Sequence, residues 1–430
     1  MKLYKVLFTF IFIIGSINYI VLADDENEEI SNNISSLIEV SSSITEELII
    51  NSRSAIIYDR ISGSVLYGKN ENEKRKMAST TKIMTAIIVI ENSNLDDVVT
   101  VSSKSANTGG SRLGLHKNDK ISVRDLLYGL LLCSGNDAAV ALAEHVGGDV
   151  IKFATLINNK CNSLGLTSTH FITPHGLDND DHYTTAYELA VITNYALKNK
   201  TFCNFVRTKN HTVYINGTPK NLTNTNELLG NLNGVYGVKT GFTNGANRCL
   251  VTAVKRDNMD LICVVLGADT KNDRTRDSIK LIEYAFNNFK MVNIRDKIMT
   301  EFENWKLCNS SSFVVKKGIS NNIDIFLADL PFDFFPVNSN HINDISIYIY
   351  CKRNFEAPLN SETAIGYLTV SIHNNNVLSL DIFNSNDILQ KNWKDFYNDM
   401  IQNYTLHLES LLYKKIWYSL DKFKLFCYHN

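Results

Sequence analysis

Met77-Ala78-Ser79-Thr80-Thr81-Lys82-Ile83-Met84-Thr85 decides how the rest of the chain is read. The stretch comes after a basic segment, Lys74-Arg75-Lys76, and leads into a mostly apolar run ending at Ile90. A polar-to-apolar switch of this kind marks a helix N-terminus. Residues three apart share a helix face, so the Ser79 hydroxyl and the Lys82 amine point into one space. A serine hydroxyl is a weak nucleophile until a neighbouring base takes its proton. Lysine can be that base when desolvation or a second cation lowers its pKa. The helix N-terminus adds partial positive charge and N–H groups where an oxyanion would form. Alone, Ser-x-x-Lys is common, and its weight depends on the motifs that accompany it.

Two such motifs lie further along the chain. Ser122 and Asp125 form a capping box that opens a helix through Leu132. That helix stops at Ser134-Gly135-Asn136, and Asp137 starts another, Ala138 to His145. Ser, Gly and Asn between two helices also suit an ordinary turn. Gly237-Val238-Lys239-Thr240-Gly241 sits on a strand, with Gly241 allowing close approach of a ligand backbone. Ser-x-x-Lys, Ser-x-Asn and Lys-Thr-Gly in this order are far more specific than any one alone. Together they are the signature of penicillin-binding proteins and class A β-lactamases.

The wording around the motifs narrows the match. Ser134-Gly135-Asn136-Asp137-Ala138-Ala139, Thr169-His170-Phe171 with His175-Gly176-Leu177-Asp178, and Gly237 to Thr243 all resemble D-alanyl-D-alanine carboxypeptidases. These are the low-molecular-mass penicillin-binding proteins of serine peptidase family S11. The resemblance is strong over residues 52–290 and weaker from Ala357-Pro358-Leu359 to Val370. It implies an α+β fold: a β-lactamase/transpeptidase-like catalytic domain with an antiparallel sheet and a helical lobe, then a small all-β domain and an amphipathic C-terminal helix. It implies acylation of Ser79 with Lys82 as base and Ser134 as proton relay. Asn136 would bind the substrate amide and orient Lys82. Lys239 and Thr240 would bind the terminal carboxylate of a peptidoglycan pentapeptide. The oxyanion hole would be the backbone N–H groups of Ser79 and Phe242, where some relatives carry histidine. Arg274 is similar in position to an arginine that helps bind the carboxylate. β-Lactam antibiotics would acylate the same serine, and no cofactor or metal is implied.

At 430 residues, 44% hydrophobic and 20% charged, the chain is an ordinary globular protein of two or three domains. A net charge of -2 gives no case for nucleic-acid binding. Residues 1–23 have the form of a secretory signal peptide: Lys2 and Lys5, an apolar segment from Val6 to Ile20, and Val21-Leu22-Ala23. Residues 24–50 are an acidic, Ser- and Asn-rich lead-in. The catalytic domain spans residues 51–291, beginning with a hairpin, Ser54 to Tyr58 and Ser64 to Tyr67, and Thr185 to Glu188 opens a helix towards Leu197. Strands from Arg248 to Lys255 and Leu261 to Gly267 and a helix from Asp273 to Asn288 complete it. Short strands between residues 292 and 388 form the second domain. From Trp393 the pattern turns helical, with aromatics and Lys414, Lys415, Lys422 and Lys424. This tail, residues 389–430, suits the membrane interface, or else packs on the β-domain. The mature protein is expected outside the cytoplasm, peripheral on the outer face of the cytoplasmic membrane.

The eight cysteines show no C-x-x-C pair, and His170, His175 and His182 show no H-E-x-x-H, so neither metal spacing nor a disulfide framework is present. A class A β-lactamase requires a glutamate for deacylation, and residues Thr167 to Asp181 contain none. A DD-endopeptidase performs the same chemistry on a larger leaving group and stays open. A silent wall-binding module is disfavoured by the intact Ser79, Lys82, Ser134, Asn136 and Lys239.

Overall fold

The computed structural model describes residues 48–320 and 322–427. The signal-peptide reading and most of the lead-in lie outside them. The chain divides between Phe289 and Lys290 into two compact units.

The first unit is built on five antiparallel strands: β1 (Ser54–Asp59), β2 (Val65–Lys69), β3 (Val235–Thr243), β4 (Asn247–Arg256) and β5 (Met259–Ala268), in the order β2-β1-β5-β4-β3. The N-terminal hairpin and the last three strands therefore share one sheet, and the Lys-Thr-Gly strand β3 lies at its edge. Ala55, Ile56 and Ile57 and the run Leu261 to Leu266 are almost wholly buried, as strands covered on both faces must be.

The helical lobe comprises α1 (Lys82–Asn92), α2 (Val123–Leu131), α3 (Asn136–Gly147), α4 (Val150–Ser163), α5 (Ala186–Leu197) and α6 (Lys200–Arg207). Every residue of α1 from Lys82 to Val89 is buried, so α1 is a core helix rather than an amphipathic surface helix. Ser122 caps α2 and Thr185 caps α5 by accepting the N–H three residues on, as their capping residues predict. Sequence reading does not assign α4 or α6, nor the exposed hairpin Asn210–Ile215 with Thr218–Thr223. Helix α7 (Lys271–Asn288) returns onto the sheet, burying Ile279, Leu281, Ile282 and Ala285.

The second unit holds a four-stranded antiparallel sheet of β6 (Ile325–Leu327), β7 (Ile345–Cys351), β8 (Ala364–Ile372) and β9 (Asn375–Asn384), in the order β6-β9-β8-β7. In β7 the half-buried Ile345, Ile347 and Ile349 alternate with exposed Ser346, Tyr348 and Tyr350, the period-two pattern of a strand with one covered face. Strands β8 and β9 join through His373-Asn374, both at positive φ (48° and 64°), a type I′ turn. One element departs from the all-β expectation: helix α8 (Ile294–Asn309) buries Ile294, Ile298 and Phe302 in this unit's core. Its fully buried residues fall at every fourth position, among many charges, and Asn293 caps it.

Helix α9 (Trp393–Cys427) is exposed along nearly all its described side chains, through Trp417. Its apolar residues are not packed on the β-sheet. Among the described residues no helix is long and apolar enough to cross a membrane.

Leu368, fully buried at the centre of β8, is the test of the second core. Leu368→Ala is expected to destabilise that unit by about 2–5 kcal/mol, measured by denaturant unfolding.

Candidate active site

The centre of the first unit is the buried Lys82 amine. Nζ lies 2.7 Å from Ser79 Oγ, donates to Asn136 Oδ1 at 2.7 Å and donates to the His175 carbonyl at 3.0 Å. The helix start that presents Ser79 is tighter than an α-turn. Ala78–Thr81 form a 3₁₀ turn leading into α1 at Lys82. Residue 78 adopts φ +48°, a left-handed conformation that costs a non-glycine residue free energy.

Several contacts hold that turn in place. Thr80 Oγ1 donates to Met77 O and Thr81 Oγ1 to Ala78 O. His182 Nδ1 accepts the Ile172 N–H at 3.0 Å, which places the neutral ring's proton on Nε2, 2.8 Å from Thr81 Oγ1. The relay runs from His182 N–H to Thr81 O–H to the carbonyl of Ala78. Burial, followed by the charge of His170, pushes the His182 pKa down to about 4. The His175 ring is held neutral too, its pKa pushed down to about 3 by burial and then by the charge on Lys82. Glycines close the arrangement sterically. A Cβ on Gly176 would stand 1.9 Å from Ala78 O, and one on Gly241 would stand 2.9 Å from the Ser79 nitrogen. Gly241 is expected from the sequence to make room for a ligand backbone; the close approach observed is to the nucleophile turn itself.

Ser134 is fully buried with φ +61°. Its Oγ has no hydrogen-bond partner among the described residues. A buried hydroxyl left unsatisfied costs about 1–3 kcal/mol, so it is an unused donor beside the site rather than a turn-forming serine. The ground state holds no Ser134–Lys82 hydrogen bond. Asn136 is committed at both ends, its Nδ2 donating to Gly109 O at 2.8 Å. Next to it, Asp137 does more than start a helix. Its buried carboxylate accepts the N–H groups of Leu113, Gly114, Leu115 and Ala138 at 2.7–2.9 Å. Asp137 thereby fixes the 109–115 loop beside Asn136. The neighbouring Cys133 is no rival nucleophile, because burial pushes its thiol up to about 11.

On β3, Lys239 and Thr240 are almost fully buried. Lys239 Nζ donates to Thr240 O at 3.1 Å, and Thr240 Oγ1 lies 2.6 Å from Thr225 Oγ1. The Phe242 ring, at the position where some relatives are expected to carry histidine, lies under the Arg248 guanidinium, 4.0 Å from its centroid. Arg274 is paired with the chain's own Glu227, which also accepts from Thr275 Oγ1. Burial opposes ionisation of Glu227, but Arg274 and Thr275 more than offset it and leave the carboxyl below its ordinary value. The site thus joins Ser79, Lys82 and Asn136 directly, while Arg274 reaches Thr240 only through residues 225–227.

The sequence profile described as D-alanyl-D-alanine carboxypeptidase, peptidase S11, matches residues 41–270. The chain belongs to this family. It is 33% identical over 332 residues to the D-alanyl-D-alanine carboxypeptidase DacF of Bacillus subtilis (strain 168), covering 76% of this chain and 83% of that protein. It is 38% identical over 242 residues to a D-alanyl-D-alanine carboxypeptidase of Streptomyces sp. (strain K15), covering 52% and 83% respectively. The structure is similar to penicillin binding protein 5 from Haemophilus influenzae, with a TM-score of 0.67 and 26% identity over 81% of this chain and all of that one. It is also similar to the Streptomyces K15 DD-transpeptidase, with a TM-score of 0.53 and 35% identity over 57% of this chain and all of that one.

Sequence reading misses His182, Gly176 as a steric wedge, Asp137 as a loop anchor and Glu227 as the partner of Arg274. The signal available is a histidine and a glycine in the Thr169 to Asp178 wording and its flank, with nothing to say what they touch.

Neutral burial of His182 has a pH consequence. Its pKa falls from 6.5 to about 4 on folding, so below pH 6.5 the unfolded chain takes up a proton that the fold refuses. Stability is expected to fall between about pH 6.5 and 4, with His182 contributing on the order of 3 kcal/mol of the loss. Urea unfolding of wild type and His182→Gln across this range checks it. The variant should show the shallower slope, and parallel slopes would refute the assignment.

Proposed function

We propose that this S11 protein is a serine-type D-Ala-D-Ala carboxypeptidase that removes the terminal D-alanine from peptidoglycan pentapeptide through an acyl-enzyme, and that penicillin acylates the same serine. The observation that carries the reading is the buried Lys82 amine 2.7 Å from Ser79 Oγ, with two further bonds made to pure acceptors. Ser79 Oγ attacks the carbonyl of the penultimate D-alanine, and its proton passes to Lys82. The oxyanion is received by the backbone N–H groups of Ser79 and Phe242, a preorganised arrangement in which each donor is typically worth about 3–4 kcal/mol. The C–N bond breaks as the leaving amine takes a proton through Ser134, whose unpaired buried hydroxyl supports that role. Water then hydrolyses the ester. As the edge strand of its sheet, β3 can bind the extended peptide along its backbone, with Lys239 and Thr240 at the terminal carboxylate.

A β-lactamase-like deacylation finds no support. Glu188, the carboxylate packed against the 167–169 segment, is spent on the Thr167 and Ser168 N–H groups and Thr169 Oγ1. Endopeptidase action on cross-links shares every step up to the leaving group. A pentapeptide ending in D-Ala-D-Ala should release D-alanine, while Ser79→Ala should lose both this activity and penicillin labelling. Lys82→Ala should lose nearly as much, since residues that act as one unit fail together. A covalent penicillin adduct on the alanine variant would remove Ser79 from its role.

The reading extends to location: secretion by the N-terminal segment, and attachment to the outer face of the cytoplasmic membrane through α9. Supporting this, Trp393, Phe396, Tyr397, Met400, Ile401 and Tyr404 are all solvent-exposed. Burial of that face would supply most of the binding, with each lysine near anionic lipid adding about 1 kcal/mol. Truncation before Trp393 should give a fully active enzyme that no longer sediments with anionic vesicles. High salt should detach the full-length protein only in part, and its failure to sediment at all would overturn the assignment.

A further inference from the structure

Among the described residues, one group of His, Cys, Asp and Glu side chains brings three potential metal-ligand atoms within 4.8 Å of one another: His341, Asp344 and His373, in the second unit. His341 Nδ1 lies 2.8 Å and His373 Nδ1 3.5 Å from the same oxygen, Asp344 Oδ2. Atoms bound at about 2.0–2.1 Å to one tetrahedral ion stand roughly 3.4 Å apart, so the observed separations bracket a shared ion. We propose that these three side chains form a binding site for a borderline divalent transition-metal ion, with Zn²⁺ as the principal occupant.

The residues arrive from separate parts of the sequence. His341 and Asp344 belong to the helical turn Ser339–Asp344, and His373 to the turn between β8 and β9. The backbone reinforces the meeting, because the His373 N–H donates to Asp344 O at 3.3 Å. His373 occupies a hairpin position at φ +48°, where Asn, Asp or Gly is the usual choice. The two imidazole rings lie 4.1 Å apart, tilted by 33°, each with its Nδ1 within 3.5 Å of the same carboxylate oxygen.

The donor set selects the ion. Two imidazole nitrogens and one carboxylate suit Zn²⁺ and its neighbours, whereas Ca²⁺ and Mg²⁺ take oxygen ligands. One carboxylate oxygen and two imidazole nitrogens thus converge on one point from two turns. An ion takes the place of the proton between His341 Nδ1 and Asp344, and the neutral ring then carries its proton on Nε2. All three side chains are open to solvent, which provides an entry path and leaves a position for water. Bound there, the ion ties the Ser339–Asp344 turn to the β8–β9 hairpin, as a cross-link in a small domain.

Isothermal titration of the full chain with ZnCl₂ tests this, alongside thermal unfolding with and without the ion. Wild type should take up one equivalent saturably and unfold at a higher temperature with Zn²⁺ than with a chelator. His341→Gln and His373→Asn should each weaken uptake more than about tenfold and abolish the thermal shift. Asn retains the positive-φ turn, so loss in that variant reports a lost ligand rather than a broken hairpin. No saturable uptake by wild type, or equal uptake by both variants, overturns the proposal. In that case the cluster is a hydrogen-bonded brace between two turns.

Discussion

The Lys82 amine is the interaction on which the first unit turns. Three of its hydrogen-bond partners come from three places: the nucleophile turn, the first residue of α3 and the segment after α4. Asn136 Oδ1 and His175 O can only accept, whereas the Ser79 hydroxyl can donate or accept. An ammonium satisfies the set by donating to all three. A neutral amine satisfies it by donating to Asn136 and His175 and receiving the Ser79 proton on its lone pair. The same geometry therefore serves both protonation states without rearrangement. A base that takes a proton during acylation and surrenders it to the leaving group needs this property.

That geometry is sterically over-determined. Ala78 and Ser134, the residues beside the nucleophile and at the proposed relay, both hold φ values that non-glycine residues avoid, at a cost of order 1–3 kcal/mol each. Such conformations persist only where the surroundings enforce them. Gly176 and Gly241 press on the Ala78–Ser79 backbone from two sides, with no room for a methyl group on either. His182 ties the same turn through Thr81, and Asp137 ties the loop beside Asn136. Strain at Ala78 and the orphaned Ser134 hydroxyl are thus offset by a frame of hydrogen bonds and close packing around them.

This division between motif and frame decides how much of the molecule is legible in its sequence. Ser79, Lys82, Ser134, Asn136 and Lys239 lie in short motifs whose residue types and order carry their chemistry, and strands such as Ser54–Asp59 show in their β-branched composition. The frame is not legible, because its members act over long separations. His182 meets Thr81 across 101 positions, and Arg274 meets Glu227 across 47. Helix α8 escapes for a different reason: its apolar face of Ile294, Ile298, Phe302 and Trp305 is narrow and set among many charges, in a region otherwise rich in short strands. The tail's apolar residues are legible as a stripe, but only the fold shows that they lie uncovered by the sheet of their own unit.

The pairing of Arg274 with Glu227 bears on how a carboxylate would be recognised. Both side chains are more than nine-tenths buried, and removing one partner of a buried pair typically costs about 3–5 kcal/mol. An incoming carboxylate that drew Arg274 away would leave Glu227 stranded, with one oxygen already lacking a partner. That exchange is close to thermoneutral at best. The proposed carboxylate contact of Lys239, on the edge strand itself, requires no such exchange with the Glu227 pair. The Glu227 pair is better placed to act one step removed. It anchors one end of residues 225–227, whose other end, Thr225, bonds the Thr240 hydroxyl. Arg274 then contributes by holding Thr240 in position, with its own charge already balanced before any substrate arrives.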